Sequence, residues 1–227
     1  MKLSVIIPLY NEKTTIFKVI EKVRSVPLEK EMIIVDDFST DGTRDAIRKL
    51  EKEKDIKIVY HDKNKGKGAA IRTAIKHVSG DIVIIQDADL EYDPNDYIDL
   101  VKPITDGIAS VVYGSRQLGK SSGRSYVSFY LGGRFLTILT NILYGSKITD
   151  EPTCYKVFKT EVLTSIPLTC ERFEFCPEVT AKVLKRKIPI VEVPIHYHPR
   201  KKEEGKKIRW KDGVQAIWTL VRYRFSK

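Results

Sequence analysis

Two aspartates separated by one alanine, Asp87-Ala88-Asp89, follow directly on Asp81-Ile82-Val83-Ile84-Ile85-Gln86. Four consecutive β-branched residues after the breaker Ser79-Gly80 predict a buried strand that ends in two carboxylates. In an open α/β sheet, ligands bind at the carboxyl ends of the strands. Two acids there are costly to bury unless something positive lies between them. A divalent cation meets that need, because hard cations take oxygen ligands and leave places for phosphates. Two acids that open a turn and cap the next helix are the plainer alternative. Asp-x-Asp alone does not choose between the two; the residues around it do.

The elements that must position this pair are legible as alternating strands and helices. Runs 3–8, 32–35, 56–60 and 109–113 read as further short buried strands. Between them, Ile16, Val19, Ile20 and Val23 fall at helical spacing after Thr14-Thr15. Ser39-Thr40-Asp41-Gly42-Thr43 opens a helix through Leu50, and Ala69, Ala70, Ile71, Ala74, Ile75 and Val78 mark another. Pro94 suits the first turn of a helix reaching Ile104. The alternation predicts an α/β fold, a mainly parallel sheet with helices on both faces. Tyr10 and Glu12 then follow strand one, Asp36 and Asp37 strand two, Asp87 and Asp89 strand four, and Arg116 strand five. All collect on one rim. A nucleotide needs such a rim: a wall for the base, an acid for a base edge or ribose hydroxyl, a metal for the diphosphate and a cation beside it. The Gly66-x-Gly68 loop lacks the G-x-G-x-x-G dinucleotide pattern. It either leaves free amides at a helix start for an anion or is a plain tight turn.

Composition narrows the classes. With 227 residues, 42% hydrophobic and 31% charged, the chain has material for one folded α/β domain and is not a disordered one. The formal charge of +10 points to a polyanionic partner: nucleic acid, an anionic membrane face or a phosphorylated ligand. Cys154, Cys170 and Cys176 form no C-x-x-C pair, which argues against a zinc ribbon or a disulfide framework and for a reducing compartment. Met1-Lys2-Leu3-Ser4 leads straight into a strand without a signal-peptide pattern. No apolar run approaches the roughly 20 residues that span a bilayer. A cytoplasmic location is expected.

Four stretches carry a family resemblance. Ser-Val-Ile-Ile-Pro-Leu-Tyr-Asn-Glu (4–12), Ile-Ile-Val-Asp-Asp-Phe-Ser-Thr-Asp-Gly-Thr (33–43), Asp-Ala-Asp-Leu (87–90) and Gly-Ser-Arg (114–116) resemble the inverting glycosyltransferases of family 2. Asp150-Glu151-Pro152-Thr153-Cys154-Tyr155-Lys156-Val157-Phe158, and Glu192-Val193-Pro194-Ile195 followed by His198-Pro199-Arg200 and Gly205-Lys206-Lys207, are similar to segments of dolichyl- and polyprenyl-phosphate sugar synthases. The resemblance implies a GT-A-like fold over residues 1–227. Its nucleotide-sugar-binding half would be 1–116, and its acceptor-binding half 117–227. The implied donor is a GDP- or UDP-linked sugar, used with Mg²⁺ or Mn²⁺. Pro8, Tyr10, Glu12, Val35 and Asp37 would hold base and ribose. Asp87, Ala88 and Asp89 would hold diphosphate and metal, with Asp87 and Asp89 as ligands. Arg116, Arg200 and Lys207 would lie by the phosphates. Glu91, also placed at the donor, stands where mannosyl-phosphate synthases usually carry Gln. Lys206 stands where Gly-x-Ser-Lys has Ser. Both departures leave the donor open.

The expected chemistry follows from charge. A sugar leaving a nucleotide diphosphate builds negative charge that a metal at Asp89, with Arg200 and Lys207, stabilises. A sugar-hydroxyl acceptor needs a carboxylate base. A phosphate monoester is already an anion and needs cations instead. The second half is rich in those: Arg124, Arg134, Lys147, Lys156 and the basic run 200–211. Arg124, Arg134, Asp150 and Glu178 are the candidate acceptor-side residues. Glu178 either faces the acceptor cleft or is a plain helix-start acid. His61 and His77 read as surface or strand-edge residues, and His196 and His198 as structural. Val214, Ile217, Trp218, Val221 and Phe225 share a helical face near Arg222 and Arg224. Phe129, Phe135, Leu136, Leu139 and Ile142 form a similar stripe. Each is either a membrane-surface face or one packed on the core.

The expectation is a hexosyltransferase acting on a polyprenyl or dolichyl phosphate, peripheral at the cytoplasmic membrane face, directly or through a membrane partner. The alternatives are a family member acting on a glycan or protein hydroxyl, a nucleic-acid-binding module and a non-catalytic nucleotide-sugar-binding subunit. Nucleic acid is disfavoured because acids line the expected rim and no nucleic-acid motif is present.

Overall fold

The computed structural model describes residues 1–119, 127–200 and 210–226. Among them, seven strands form one sheet in the order β3-β2-β1-β4-β6-β5-β7. The strands are β1 (Leu3–Leu9), β2 (Lys30–Asp36), β3 (Ile56–Tyr60), β4 (Ile82–Ile85), β5 (Val111–Ser115), β6 (Lys156–Lys159) and β7 (Ile190–Pro194). β6 is antiparallel to both β4 and β5, and every other pairing is parallel. The carboxyl ends of six strands therefore meet the start of β6 on one rim. Successive residues of β1, β2 and β4 are buried, so both faces of the sheet are covered, as parallel pairing requires.

The helices are α1 (Ile16–Ser25), α2 (Thr43–Ile47), α3 (Lys67–Ile75), α4 (Tyr97–Thr105), α5 (Val127–Tyr144), α6 (Thr160–Ser165), α7 (Phe175–Lys185) and α8 (Trp210–Phe225). α1 buries Ile16, Val19, Ile20 and Val23, the residues its spacing selects. α4 is preceded by a 3-10 turn in which the Asp93 side chain accepts from the Asn95 N–H and Pro94 occupies the first position. Some boundaries differ from the sequence expectation. The helix after Gly42 changes to 3-10 at Arg48, α3 stops at Ile75, and β5 lies two residues later than expected. Strand β6 has no clear sequence signal, since its four residues begin and end with lysine. It forms because Lys156 is fully buried, with Nζ donating to the Glu151 carbonyl at 2.6 Å and lying 3.7 Å from the Tyr113 ring centre.

Two helices are turned inside out. α5 buries Thr137 and Thr140 but exposes Leu131, Phe135, Ile138 and Ile142. Its neighbour α8 buries Ala216, Thr219 and Leu220 and exposes Trp210, Val214, Trp218, Val221 and Phe225. The Tyr144 hydroxyl of α5 donates to the Leu220 carbonyl of α8 at 2.7 Å. Among the described residues, no helix is long and apolar enough to cross a membrane.

Glu178 is the knot that ties α7, α8 and the loop before α7 together. Its carboxylate accepts from the Thr169 and Cys170 amides, the Tyr223 hydroxyl and the Lys182 ammonium. The acceptor-facing placement of Glu178 is therefore corrected: its oxygens are consumed inside the fold. These donors hold its pKa at about 2, against the desolvation that pushes it up. A depressed carboxylate stabilises above its unfolded pKa and loses that stability as pH falls through the folded one. Glu178→Gln should therefore lower stability at neutral pH by roughly 1–3 kcal/mol. Urea midpoints of variant and wild type should converge as pH falls from about 5 towards 2.

Candidate active site

The end of β4 is built to hold its acids still. Gln86 is fully buried. Its Oε1 accepts from the Tyr97 and Tyr155 hydroxyls at 2.6 and 2.7 Å, and its Nε2 donates to the Asp87 carbonyl at 2.9 Å. The chain after it exposes Asp87 and Asp89 on the rim. The Asp87 carboxylate meets the Lys67 ammonium at 2.5 Å. Asp89 accepts the Glu91 N–H at 3.2 Å. Burial, and then the charges of Asp87 and Glu91, push the Asp89 pKa up to about 7, while Arg200 works against them.

Arg200 links the first and fourth strand ends. Its Nη1 and Nη2 donate to the two Glu12 oxygens at 3.0 and 2.7 Å, and its Nε donates to the Asp89 carbonyl at 2.8 Å. Its backbone N–H donates to Glu91 Oε1 at 2.7 Å, and the Tyr197 hydroxyl reaches Glu91 Oε2 at 3.1 Å. Thr15 lies between Glu12 and the acid pair, its hydroxyl 2.8 Å from Glu12 Oε2 and 2.7 Å from the Ala88 carbonyl. Glu12, Ala88, Asp89, Glu91 and Arg200 are therefore one cluster, and Asp87 adjoins it.

Other expected residues sit differently. Arg116 and Asp150, read from sequence as donor-side and acceptor-side groups, form a single bidentate pair at 2.7 Å, with the guanidinium 5.1 Å from the Tyr197 ring centre. Pro8 and Tyr10 lie half-buried at the end of β1. Val35 packs its side chain in the core, with no exposed surface. Asp37 is likewise turned inward. Its oxygens accept the Lys65 and Gly66 amides at 2.8 and 2.7 Å and contact His61 Nδ1 at 2.7 Å. His61 is thus buried between Asp37 and Thr73, not on the surface. Arg134 is exposed on α5, while Arg124 and Lys207 lie outside the described residues. His196 contacts Asp96 at 2.7 Å, a structural pairing.

Lys67 is the site residue that sequence reasoning passed over. Its signal lay in the two glycines around it. Gly66 has φ +94°, and a Cβ there would stand 2.3 Å from the Glu171 carbonyl oxygen; one on Gly68 would stand 2.9 Å from that of Arg172. Those carbonyls accept the Ala69 and Gly68 amides, both at 3.0 Å. The Gly68 and Ala69 amides are thus spent on these carbonyls, and those of Lys65 and Gly66 on Asp37.

Among the described residues, no group of three or more His, Cys, Asp or Glu side chains converges on a metal position. Asp89 with Asp87 nevertheless fits a divalent cation of the Mg²⁺ or Mn²⁺ kind, which is held by one or two carboxylates while phosphates complete its shell. The burial of the Asp89 carboxylate and its crowding by Asp87 and Glu91 are the physical basis of that fit.

The strand-end rim, with its paired acids and facing cations, lies on a mixed 3-2-1-4-6-5-7 sheet. The model of glycosyl transferase family 2 matches residues 4–166. The chain belongs to that family. A dolichol-phosphate mannosyltransferase of Pyrococcus furiosus is 28% identical over 215 residues, covering 91% of this chain and 59% of that protein. A UDP-N-acetylglucosamine–dolichyl-phosphate N-acetylglucosaminyltransferase of Methanococcus voltae is 30% identical over 209 residues, covering 84% and 83%. The low-salt glycan biosynthesis hexosyltransferase Agl6 of Haloferax volcanii is 29% identical over 206 residues, 88% of this chain, but this chain spans only 49% of its length. Among solved structures, glucosyl-3-phosphoglycerate synthase of Mycobacterium tuberculosis with UDP superimposes with a TM-score of 0.76 at 22% identity, over 98% of this chain and 80% of that one. The same enzyme with Mn²⁺, UDP and glucosyl-3-phosphoglycerate gives 0.74 at 22%, over 98% and 79%. At such identity the likeness shows the fold, which is GT-A-like.

Gly66→Ala should strain the left-handed φ and push the 171–172 segment off α3. The expected loss is about 2 kcal/mol or more, read as a lowered denaturant midpoint.

Proposed function

We propose that this chain transfers a hexose from a GDP- or UDP-linked sugar to a polyprenyl or dolichyl phosphate, inverting the anomeric centre. The outward apolar faces of α5 and α8 carry this reading. They give a lipid-linked acceptor a surface to approach along, and Arg134, Arg222 and Arg224 line it with positive charge for anionic headgroups. Exposed Trp218, with Arg222 5.0 Å from its ring centre, suits the interfacial zone of a bilayer. The protein would then act peripherally at the cytoplasmic membrane face. The names of the Pyrococcus and Methanococcus relatives point the same way.

Of the second-half carboxylates, Asp150 is committed to Arg116, Glu178 to the α7–α8 knot, and Glu192 to the Thr149 and Asp150 amides, and none of these three is left to act as a base for a hydroxyl acceptor. A phosphate monoester needs no base, only cations to hold it. On the donor side, Asp89 with Asp87 would hold Mg²⁺ or Mn²⁺, which supplies Lewis-acid stabilisation of the departing diphosphate. Arg200 stands beside those acids with its guanidinium on Glu12, and it balances charge at the same place. Glu12, at the end of β1, would face the nucleoside.

The test incubates the protein with Mn²⁺ and a panel of GDP- and UDP-sugars, with and without a short polyprenyl phosphate, and measures released nucleoside diphosphate. Release should require lipid phosphate and metal and fall at least about 100-fold in Asp89→Ala. Turnover with glycan hydroxyls and indifference to lipid phosphate would replace the acceptor reading. In a separate vesicle-sedimentation assay, Trp218→Ser with Phe135→Ser should reduce binding to anionic vesicles about tenfold or more.

A further inference from the structure

Phe38 is the first exposed side chain after β2, and it sits at φ +65° with 40% of its surface in solvent. The left-handed region is costly for a bulky side chain and is usually left to glycine or asparagine. Backbone partners on both sides hold the conformation. The Asp37 carbonyl accepts from Asn64 Nδ2 at 3.2 Å, and the Ser39 N–H points at the Asp36 carboxylate at 3.3 and 3.4 Å. Neither bond uses the ring, so glycine would serve this turn with less strain. An aromatic residue here adds strain and buries little. Strain retained without a packing return points to function.

The ring is braced. The Arg44 guanidinium lies 5.3 Å from its centre and 5.2 Å from the centre of the Tyr60 ring. Arg44 is fixed in turn, with Nε on Asp36 Oδ2 and Nη2 on the His61 carbonyl, both at 2.6 Å. The Phe38 segment is also stapled to the chain that follows β1. The Asn11 N–H donates to Ser39 Oγ at 2.9 Å, and the Thr40 N–H donates to Asn11 Oδ1 at 2.8 Å. A rigid, half-open aromatic ring therefore stands on the rim close to Tyr10 and Glu12. The acids before it are withdrawn. Asp36 is 0% exposed and Asp37 3%, with Asp37 oxygens on the Lys65 and Gly66 amides. A planar ligand at this strand end meets the Phe38 ring and neither carboxylate.

We propose that Phe38 is a stacking platform for the nucleobase of the donor, which it grips by the face and does not read by the edge. Every base has a π-face, so such a platform takes uracil and guanine alike. The proposal rests on the nucleotide-sugar reading above and states how that donor is held.

Isothermal titration calorimetry of the whole chain with Mg²⁺ tests it, using UDP, GDP and inorganic pyrophosphate as ligands. The proteins are wild type, Phe38→Asn and Phe38→Tyr, with Phe38→Gly replacing Phe38→Asn should circular dichroism show the latter unfolded. Phe38→Asn should weaken UDP and GDP by about tenfold or more each, the two losses agreeing within about threefold. Pyrophosphate, which has no base, should bind it within about twofold of wild type. Phe38→Tyr should keep nucleotide affinity within about threefold. The urea midpoint of Phe38→Asn should equal or exceed that of wild type, because asparagine tolerates the left-handed backbone. A residue that merely packs would instead lower the midpoint and leave the difference between nucleotide and pyrophosphate unchanged. Unaltered UDP and GDP binding, or a loss that pyrophosphate shares, overturns the platform. Loss for one base alone overturns the face-on grip. A wild type that binds pyrophosphate as tightly as either nucleotide overturns the nucleotide-sugar reading itself, a result separate from any effect of Phe38.

Discussion

The constraint on which the site depends is the crowding of carboxylates at the end of β4. Asp87, Asp89 and Glu91 lie within five residues of one another, and Glu12 closes on them from β1. Among the described residues, the cations set directly against these acids are Lys67 and Arg200. Burial first, and after it the charges of Asp87 and Glu91, raises the Asp89 pKa to about 7. A desolvated, crowded carboxylate of this kind is tolerated where a ligand will meet it. Arg200 reaches these acids from far along the chain. Arg200 meets Glu12 across 188 residues, and only the closure of the whole sheet brings it there. Assembling the sheet and balancing the site are one event.

That long reach marks the boundary of what the sequence discloses. Strand β4 and its acids were readable because four β-branched residues leave little alternative and the polar residues stand directly after them. The rim followed from parallel topology, and the family resemblance rested on the same strand ends. The partners of those residues were not readable. Arg116 and Asp150 were assigned to opposite substrates, yet they satisfy each other at 2.7 Å. Val35 and Asp37 are expected against a nucleoside; in the structure the Val35 side chain packs in the core, and Asp37, one residue past the end of β2, turns towards the loop before α3. Glu178 stands at a helix start in both readings. What differs is that Thr169, Cys170 and Tyr223 fold over it.

Periodicity has a second limit: it finds a stripe but not what the stripe faces. In α5 and α8 the apolar stripe faces out and the small or hydroxyl residues face in. Thr137 and Thr140 satisfy their hydroxyls on carbonyls one turn back, which lets them be buried at little cost. A helix interior built from Thr, Ala and Gly packs its neighbours closely. Large side chains such as Phe135, Ile142, Trp210 and Trp218 are thereby left for another surface. Clusters of exposed apolar side chains of this kind mark interaction surfaces.

The charge distribution joins these two features. The net charge of +10 would suit a nucleic acid, yet the strand-end rim where a ligand must sit is acid-rich. Among the described residues, positive charge instead edges the α5–α8 face at Arg134, Arg222 and Arg224. A donor carrying its own cation is attracted to the rim, whereas a bare polyanion is repelled from it. On the proposed function, an acceptor with one phosphate on an apolar tail would be drawn by the basic edge and guided by the apolar face. The acid-rich rim would then hold a metal-bound diphosphate and the basic edge a metal-free phosphate, so that the two anions are kept apart until the sugar moves.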